Sequence, residues 1–336
     1  MASSISEAIR NGVAKAARLH EQLGSQTAMV AQLGSIDVFD TISQLDITLL
    51  LRPLNGLLGA YLREPAPGIL ITTQRPLSIQ RFTAAHELGH FYLEHKPSLD
   101  DEKVLRRSPF QNRGLPDLQE LEANTFAAAF LMPRWLVMQH CRQHGWTAID
   151  LQDPDKVYQL ALRLGTSYAA TCYTLQRYNV IDPTVAKELL AAEVRTRKQH
   201  LLGDFVPENY FGDTWLLTEA DQGTSIAGSR NDMFVIRLKE HSSGGYVWNF
   251  DQLVESGFLI VQDTREALDD EGVGNPVFRN ITAHLEDSSF GRIHLAEQRP
   301  WQPQEPLSKF TFDFDLSGPE LEGLSRADKK RALLAA

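Results

Sequence analysis

Cysteine is scarce in this sequence of 336 residues. The two cysteines, Cys141 and Cys172, lie in unrelated contexts and not at the spacing of zinc ligands. A disulfide framework and a cysteine-based metal site are therefore excluded from the leading interpretations. Because free thiols persist in reducing compartments, we expect a cytoplasmic protein.

Long apolar runs are also missing. No stretch is apolar enough to span a bilayer, and the first ten residues have no apolar core of a signal peptide. Basic residues are in deficit, with 33 Lys and Arg against 43 Asp and Glu, for a net charge of -10. A protein that binds nucleic acid through its phosphates usually has the opposite balance. We therefore expect neither membrane association nor DNA binding.

Histidine is the residue that carries chemistry here. Two of the ten histidines stand four apart in His86-Glu-Leu-Gly-His90, so on a helix they share a face. Two neutral imidazoles placed in this way can bind one divalent metal, and Glu87 can act as general base on a water beside it. This H-E-x-x-H arrangement is typical of zinc hydrolases. We predict a Zn²⁺ site with His86 and His90 as ligands and Glu87 as the catalytic residue.

A catalytic zinc needs a third protein ligand, which is often a carboxylate. On the next predicted helix, Glu120 and Asn124 are four apart and share a face, whereas Glu122 points away. We predict Glu120 as the third metal ligand, with Glu122 as the alternative. The Asn124 carbonyl is a candidate acceptor for the second ring N–H of a ligand histidine.

No residue of the sequence stands out as the group that would stabilise an oxyanion. The candidates near the motif are His95, Tyr92 and Tyr61, and each is favoured instead as a packing or surface residue.

Periodicity places these residues in an α+β arrangement. Residues 100–116 are charged and contain glycine and proline, so they are predicted to form a loop at the edge of the cleft. Predicted helices cover residues 5–23, 37–45 and 117–132, and predicted strands cover residues 47–52, 56–61 and 68–73.

Two long motifs resemble the ImmA/IrrE family of zinc metallopeptidases. They are Arg81-Phe-Thr-Ala-Ala-His-Glu-Leu-Gly-His90 and Glu120-Leu-Glu-Ala-Asn-Thr-Phe-Ala-Ala-Ala-Phe-Leu-Met-Pro133, and the similarity covers roughly residues 1–140. The resemblance implies that His86, His90 and Glu120 hold zinc and that Glu87 is the base. It also implies that the protein substrate is a transcriptional repressor or an antitoxin-like regulator, cut in a stress response.

Residues 155–181 have helix–turn–helix form, with Gly165 at the turn and Cys172 expected in the core. A DNA-reading helix needs basic or amide side chains at its front, but this one offers Thr166, Ser167 and Tyr168. The segment is therefore interpreted as a scaffold or substrate-docking element.

The last third alternates apolar and polar residues with a period of two, which predicts a β-sandwich. Three loop motifs resemble chagasin-like inhibitors of papain-type cysteine proteases, which have an immunoglobulin-like fold. The motifs are Gly245-Tyr-Val-Trp248, Gly272-Val-Gly-Asn275 and Arg299-Pro-Trp301. The first loop lacks the family's Asn-Pro-Thr-Thr, with Gly244 in place of a contacting Thr, and Asn275 replaces the last glycine of the second. These departures favour a protein-binding module over an inhibitor.

The sequence thus predicts a mainly helical zincin-like metallopeptidase domain with a small sheet, a helical segment and an immunoglobulin-like β-sandwich. The predicted boundaries are 1–145, 146–202, 203–318 and a tail at 319–336, interpreted as a frayed helix or disordered. The leading functional hypothesis is a zinc endopeptidase acting on a specific intracellular protein. The alternatives are a non-proteolytic transcription regulator or repressor-binding protein, and a cysteine protease inhibitor acting through the C-terminal domain.

Overall fold

The computed structural model describes residues 2–64, 66–96, 99–101, 117–267 and 275–335. It has the predicted α+β class: helices surround a small sheet, more helices follow, and a β-sandwich comes after them. Most of the predicted loop at 100–116 lies outside the described residues. No helix in the described ranges is both long and apolar enough to cross a membrane.

The helices and strands are numbered in chain order. The helices are α1 Ala2–Leu23, α2 Ser25–Ala31, α3 Val38–Gln44, α4 Leu77–Tyr92, α5 Leu118–Leu131, α6 Arg134–His144, α7 Pro154–Leu164, α8 Tyr168–Arg177, α9 Pro183–Ala191, α10 Val194–Leu202, α11 Asp251–Glu255 and α12 Arg326–Ala335. The strands are β1 Thr48–Arg52, β2 Leu57–Leu62, β3 Gly68–Thr72, β4 Leu99–Asp101, β5 Thr214–Leu217, β6 Thr224–Ala227, β7 Met233–Glu240, β8 Val247–Asn249, β9 Phe258–Ala267, β10 Val277–Leu285, β11 Phe290–Gln298, β12 Ser308–Asp315 and β13 Gly323–Leu324.

The first sheet has the strand order β13-β1-β3-β2-β4, with β1 and β3 parallel. Helix α4 packs against this sheet on one side and against α5 on another. The contact between α4 and α5 is close at Gly89, where a Cβ would lie 3.1 Å from the Phe126 ring and 3.2 Å from the Ala123 Cα. A glycine at this position therefore lets the two helices that carry the predicted ligands approach each other.

The middle segment forms the predicted helix–turn–helix. Helix α7 ends at Gly165, whose φ of 67° lies in the left-handed region that favours glycine, and Ser167 caps α8 by accepting a hydrogen bond from the Ala170 N–H. Cys172 is fully buried, as predicted.

The β-sandwich consists of two four-stranded sheets, in the orders β5-β7-β10-β9 and β6-β12-β11-β8. The period-two pattern of β12 buries Phe310, Phe312 and Phe314, while the alternate residues lie toward solvent. Apolar side chains from both sheets form one core, and Trp248 belongs to it, with its indole N–H donating to the Lys239 carbonyl.

Helix α7 attaches the middle segment to the sandwich through buried polar contacts. The Arg163 guanidinium donates to the Asp221 carboxylate at 2.7 Å, and Gln159 bonds the backbone of β5. The pKa of Asp221 falls to about 2, because attraction to Arg163 and a hydrogen bond from His144 outweigh the effect of burial.

The tail is more ordered than predicted. Strand β13 pairs antiparallel with β1 at the edge of the first sheet, and α12 follows it. The buried Gln80 of α4 exchanges two hydrogen bonds with the backbone of Glu320. The end of the chain therefore returns to the N-terminal part and contacts the helix that carries the histidines.

Candidate metal centre

Helix α4 brings the three residues of the motif to one buried place. His86, Glu87 and His90 are each at most 1% exposed. The helix is buried around most of its circumference, because Ala84, Ala85 and Leu88 supply apolar surface between the polar positions. The Nε2 atoms of His86 and His90 lie 3.0 Å apart and so are directed at a common point.

The third corner of the site comes from the first turn of α5, where Asp117 caps the helix. Glu120 lies there, with one carboxylate oxygen 3.4 Å from His86 Nε2 and the other 3.4 Å from His90 Nε2. His86, His90 and Glu120 each offer a ligand atom, and these atoms lie within 4.8 Å of one another.

These distances suit a metal of zinc's size. Three ligand atoms about 2.0–2.2 Å from a tetrahedral zinc lie roughly 3.3–3.5 Å from one another. Glu120 Oε2 is also buried without a hydrogen-bond donor among the described residues. A cation between the carboxylate and the two imidazoles would satisfy that oxygen, so the side chains fit a bound metal ion.

Glu87 lies next to the triangle and against strand β2. A Cβ on Gly59 would be 2.4 Å from the Glu87 carboxylate oxygen Oε1 and 2.6 Å from the Thr83 methyl carbon. Only a residue without a side chain leaves room for the carboxylate here. Gly59 cannot be singled out from the sequence, because nothing local marks a strand glycine as a contact of a distant helix.

Glu122 does not belong to the metal triangle, although it was the alternative third ligand. Its carboxylate accepts a hydrogen bond from His95 Nε2 at 2.7 Å and another from the Asn11 amide at 3.1 Å. The other ring nitrogen of His95 lies 3.0 Å from His90 Nδ1. Glu122 therefore reaches the site indirectly, through His95 and His90.

This chain of contacts favours one tautomer of each ring when both imidazoles are neutral. Because an ionised Glu122 carboxylate can only accept, a neutral His95 carries its proton on Nε2 and presents an unprotonated Nδ1. That nitrogen accepts the N–H of His90 Nδ1, which leaves the His90 Nε2 lone pair directed at the triangle. Asn124, predicted to hold a ligand histidine, makes no hydrogen bond to either imidazole in the described structure, and His95 has this role instead.

The other two candidates for stabilising an oxyanion, Tyr92 and Tyr61, make different contacts. The Tyr92 hydroxyl donates to Gln22 of α1 at 2.5 Å, on the protein surface. Tyr61 is buried with its ring edge-on to Phe91, and burial raises the pKa of its hydroxyl. Tyr92 is therefore a partly exposed surface residue, and Tyr61 is a packing residue.

In the sandwich, the first and third loop motifs converge. The Arg299 side chain donates to the Gly244 carbonyl at 3.2 Å and lies over the Tyr246 ring at 4.5 Å. A Cβ on Gly245, whose φ is 79°, would be 2.7 Å from the Trp301 ring, so that ring rests on the glycine. Trp301 is nevertheless 71% exposed. The second motif lies outside the described residues except for Asn275.

The N-terminal and the C-terminal part of the chain each match a known protein family. Residues 42–176 match the IrrE N-terminal-like domain, a peptidase family, and residues 229–316 match the chagasin family of peptidase inhibitors. The C-terminal part of the chain belongs to the chagasin family, and residues 42–176 form an IrrE-like domain. The two resemblances read from the sequence are thereby confirmed.

Individual relatives match the chain only in part. Amoebiasin-2 of Entamoeba histolytica is 32% identical over 100 residues, which are 29% of this chain and 80% of that protein. A crystal structure of a cysteine protease inhibitor from Entamoeba histolytica is 29% identical and covers 32% of this chain and 99% of its own, with a TM-score of 0.28. The solution structure of amebosin is 20% identical and covers 31% and 96%, with a TM-score of 0.23.

The match of residues 42–176 to the IrrE-like domain supports a peptidase-like assignment that uses a metal ion, and the His86–His90–Glu120 triangle lies within the matched residues. Membership of the chagasin family gives the C-terminal part an inhibitor-like fold.

Proposed function

We propose that this chain is a zinc-dependent endopeptidase that cleaves a specific intracellular protein, a transcriptional repressor or an antitoxin-like regulator. The observation that supports it best is the convergence of His86, His90 and Glu120 at separations of 3.0 to 3.4 Å. The general base predicted by the motif, Glu87, is fully buried on the same helix. The nature of the substrate follows from the family resemblance.

The roles of the side chains follow from their chemistry. His86, His90 and Glu120 would hold zinc, which as a Lewis acid activates water and polarises a carbonyl. Glu87 takes the proton from the attacking water and passes it to the leaving nitrogen. Contact with Gly59 limits the positions open to its carboxylate. His95 and Glu122 orient the ring of His90.

The chagasin-family domain supplies recognition in this proposal. Its first and third loops together present an exposed aromatic ring, Trp301, which rests on Gly245. An exposed tryptophan held in place by its neighbours is the kind of side chain that anchors protein–protein contacts. Substrate captured there would be brought to a peptidase on the same chain.

Glu87→Gln tests the catalytic proposal. The variant should keep about one zinc per chain, measured by elemental analysis, because the three ligands are unchanged. When it is expressed in the host cell, the fragments that the wild type produces should be missing from the proteome. Glu21→Gln, a change of an exposed glutamate on α1, should leave those fragments in place.

Equal cleavage by wild type and Glu87→Gln would contradict the role of Glu87 as base. If neither protein produces fragments although both hold zinc, the non-proteolytic regulator becomes the better account.

Inhibition of papain-type cysteine proteases is a second candidate, favoured by the family of residues 229–316 and by the convergence of two of its loops. In that case the full chain should inhibit papain, and Trp301→Ala should weaken inhibition by about tenfold or more. Phe290→Ala, a change of an aromatic residue that is 72% exposed, is the matched control. The absence of papain inhibition at micromolar concentration would leave the domain with the recruiting role alone.

A further inference from the structure

A cavity of about 470 Å³ lies away from the metal triangle, where three parts of the chain meet. Its walls come from the start of α4, from the turn between α7 and α8, and from the loops that precede β5 and β7. The residues on which its chemistry depends are Ser78, Arg81, Ser167, Lys198, Asp213 and Asp232.

Arg81 is the unusual residue of this cavity. It is only 8% exposed, yet among the residues that the structure describes its guanidinium makes no hydrogen bond and no ion pair. Asp37 and Asp315 attract it from beyond ion-pair distance, and burial lowers its pKa. A buried cation without a partner is costly, so such a group usually has an anionic ligand.

The other charged side chains of the lining already have hydrogen-bond partners. Lys198 donates to the carbonyls of Tyr210 and Gly212 and pairs with Asp213 at 3.2 Å. The Asp232 carboxylate accepts hydrogen bonds from the Asp213 and Ser229 N–H groups and from the Trp215 indole. Arg81 is therefore the one charged side chain in the described lining without a partner.

Two helix N-termini face the same cavity. Pro76, Leu77 and Ser78 at the start of α4 line it, and so do Ser167 and Tyr168 at the start of α8. Helix N-termini carry partial positive charge and N–H groups without intrahelical acceptors. The turn residue Gly165 leaves space for the guanidinium, because a Cβ there would be 2.2 Å from Arg81 Nη1. These features add to the positive potential around Arg81.

We propose that this cavity is a binding site for a small anion that bears a phosphate or carboxylate group, with Arg81 as the anchoring residue. The guanidinium presents a fork of N–H donors that matches either group. The volume leaves room for a small metabolite beyond the charged group. Because Arg81 lies five residues before His86 on α4, the ligand would contact the helix of the metal centre.

The test is equilibrium binding of inorganic phosphate and of succinate to the zinc-loaded full chain. Each anion is titrated in chloride buffer of constant ionic strength, with phosphate followed by ³¹P NMR line width and succinate by equilibrium dialysis. We expect saturable binding of at least one of them. The anion that binds more tightly identifies the headgroup as phosphate or carboxylate.

Arg81→Met should weaken that binding by about tenfold or more, since hydrogen bonds to a charged group are lost. Arg81→Lys keeps the charge without the fork and should bind with intermediate affinity, which also covers the case in which the methionine variant fails to fold. Arg10→Met removes an exposed charge from α1 and should bind as the wild type does. An anion held only at the zinc ion would be unaffected by either change at Arg81.

The proposal is overturned if neither anion binds saturably, or if both Arg81 variants bind as tightly as the wild type.

Discussion

The contacts from Glu122 through His95 to His90 favour one position for the ring proton of His90. Glu122 accepts from one nitrogen of His95, so in a neutral His95 ring the other nitrogen accepts from His90. The His90 nitrogen that faces the triangle is then the unprotonated Nε2. In the proposed zinc site, Glu122 would thus determine which atom of His90 binds the metal without being a ligand itself, as outer residues of metal sites commonly do.

Glu122→Leu should lower the affinity for zinc by about 10- to 100-fold, because the tautomer of His95 is no longer fixed. Competition with a chromophoric chelator measures this change. Glu122→Gln keeps one acceptor oxygen, so its zinc affinity should lie between that of the wild type and that of Glu122→Leu. Glu7→Leu, on the exposed face of α1, should leave the zinc affinity unchanged. Unchanged zinc affinity in Glu122→Leu would show that His95 orients His90 without the carboxylate.

The glycine of strand β2 is a second determinant at the residue scale. Gly59→Ala places a methyl group where the Glu87 carboxylate and the Thr83 methyl now lie. We expect a loss of about 1–3 kcal/mol in the free energy of unfolding, as for other overpacked sites, and reduced peptidase activity because Glu87 is displaced. Urea denaturation and cleavage assays measure the two effects.

Gly68→Ala on the neighbouring strand is the matched control, since a Cβ there would meet its nearest atom at 3.7 Å. If Gly59→Ala is as stable and as active as Gly68→Ala, Glu87 must have a second acceptable position.

At the scale of elements, local sequence patterns were sufficient to predict the two helices of the candidate metal centre. The spacing of His86 and His90, and that of Glu120 and Asn124, predicted correctly which helices meet, because side-chain periodicity is a local property. The contact of His95 with His90 could not be found in this way. His95 returns to His90 because Glu94 adopts a left-handed φ of 59° after α4, which is uncommon for a glutamate.

The role given to Asn124 failed for a related reason. A shared helix face shows that Asn124 lies near Glu120, but not which group of a neighbouring helix reaches each ring nitrogen. The pairing of β13 with β1 was missed because it joins segments more than 270 residues apart, and no local pattern records such a contact.

A buried histidine of helix α6 makes the stability of the fold depend on pH. His140 is 1% exposed, and its Nε2–H donates to the Gly34 carbonyl at 3.1 Å. Burial lowers the pKa of His140 to about 3, with smaller contributions from Arg163 and His144. The folded protein therefore keeps this ring neutral at a pH at which an unfolded chain protonates it.

The stability that depends on neutral His140 is fully present above the unfolded pKa of 6.5 and is lost as the pH falls toward about 3. The free energy of unfolding should fall by up to about 1.4 kcal/mol for each pH unit below 6.5. His140→Gln, which can still donate to Gly34 but cannot titrate, should reduce this slope between pH 6.5 and 4.5. Part of the slope should persist, because burial also lowers the pKa of His20.

Urea denaturation at a series of pH values gives the slope, and His294→Gln on the exposed edge of β11 is the control. Equal slopes for wild type and His140→Gln would mean that protonated His140 is tolerated in the folded state.

At the scale of the whole molecule, the IrrE-like part and the β-sandwich are connected by contacts in more than one place. The sandwich contacts the middle helices through Arg163 and Asp221, and the chain beyond it returns to the first sheet. The backbone N–H and C=O of Leu49 bond to Asp328 and Ser325 of that returning segment, and Gln80 bonds to Glu320. The C-terminal tail thus contributes to the N-terminal fold, although the sandwich separates them in sequence.

Removal of residues 319–336 should therefore destabilise the peptidase part more than the sandwich. Each lost hydrogen bond accounts for about 1 kcal/mol, so the loss should reach several kcal/mol, and hydrogen exchange should accelerate in β1 and α4. Exchange in β12, which pairs within the sandwich, should be unchanged. The double variant Leu333→Ala/Leu334→Ala alters side chains that are 80% exposed and should leave both regions protected. Acceleration in β12 and β1 alike would instead show that the two parts unfold as one cooperative unit, with the tail stabilising the whole chain.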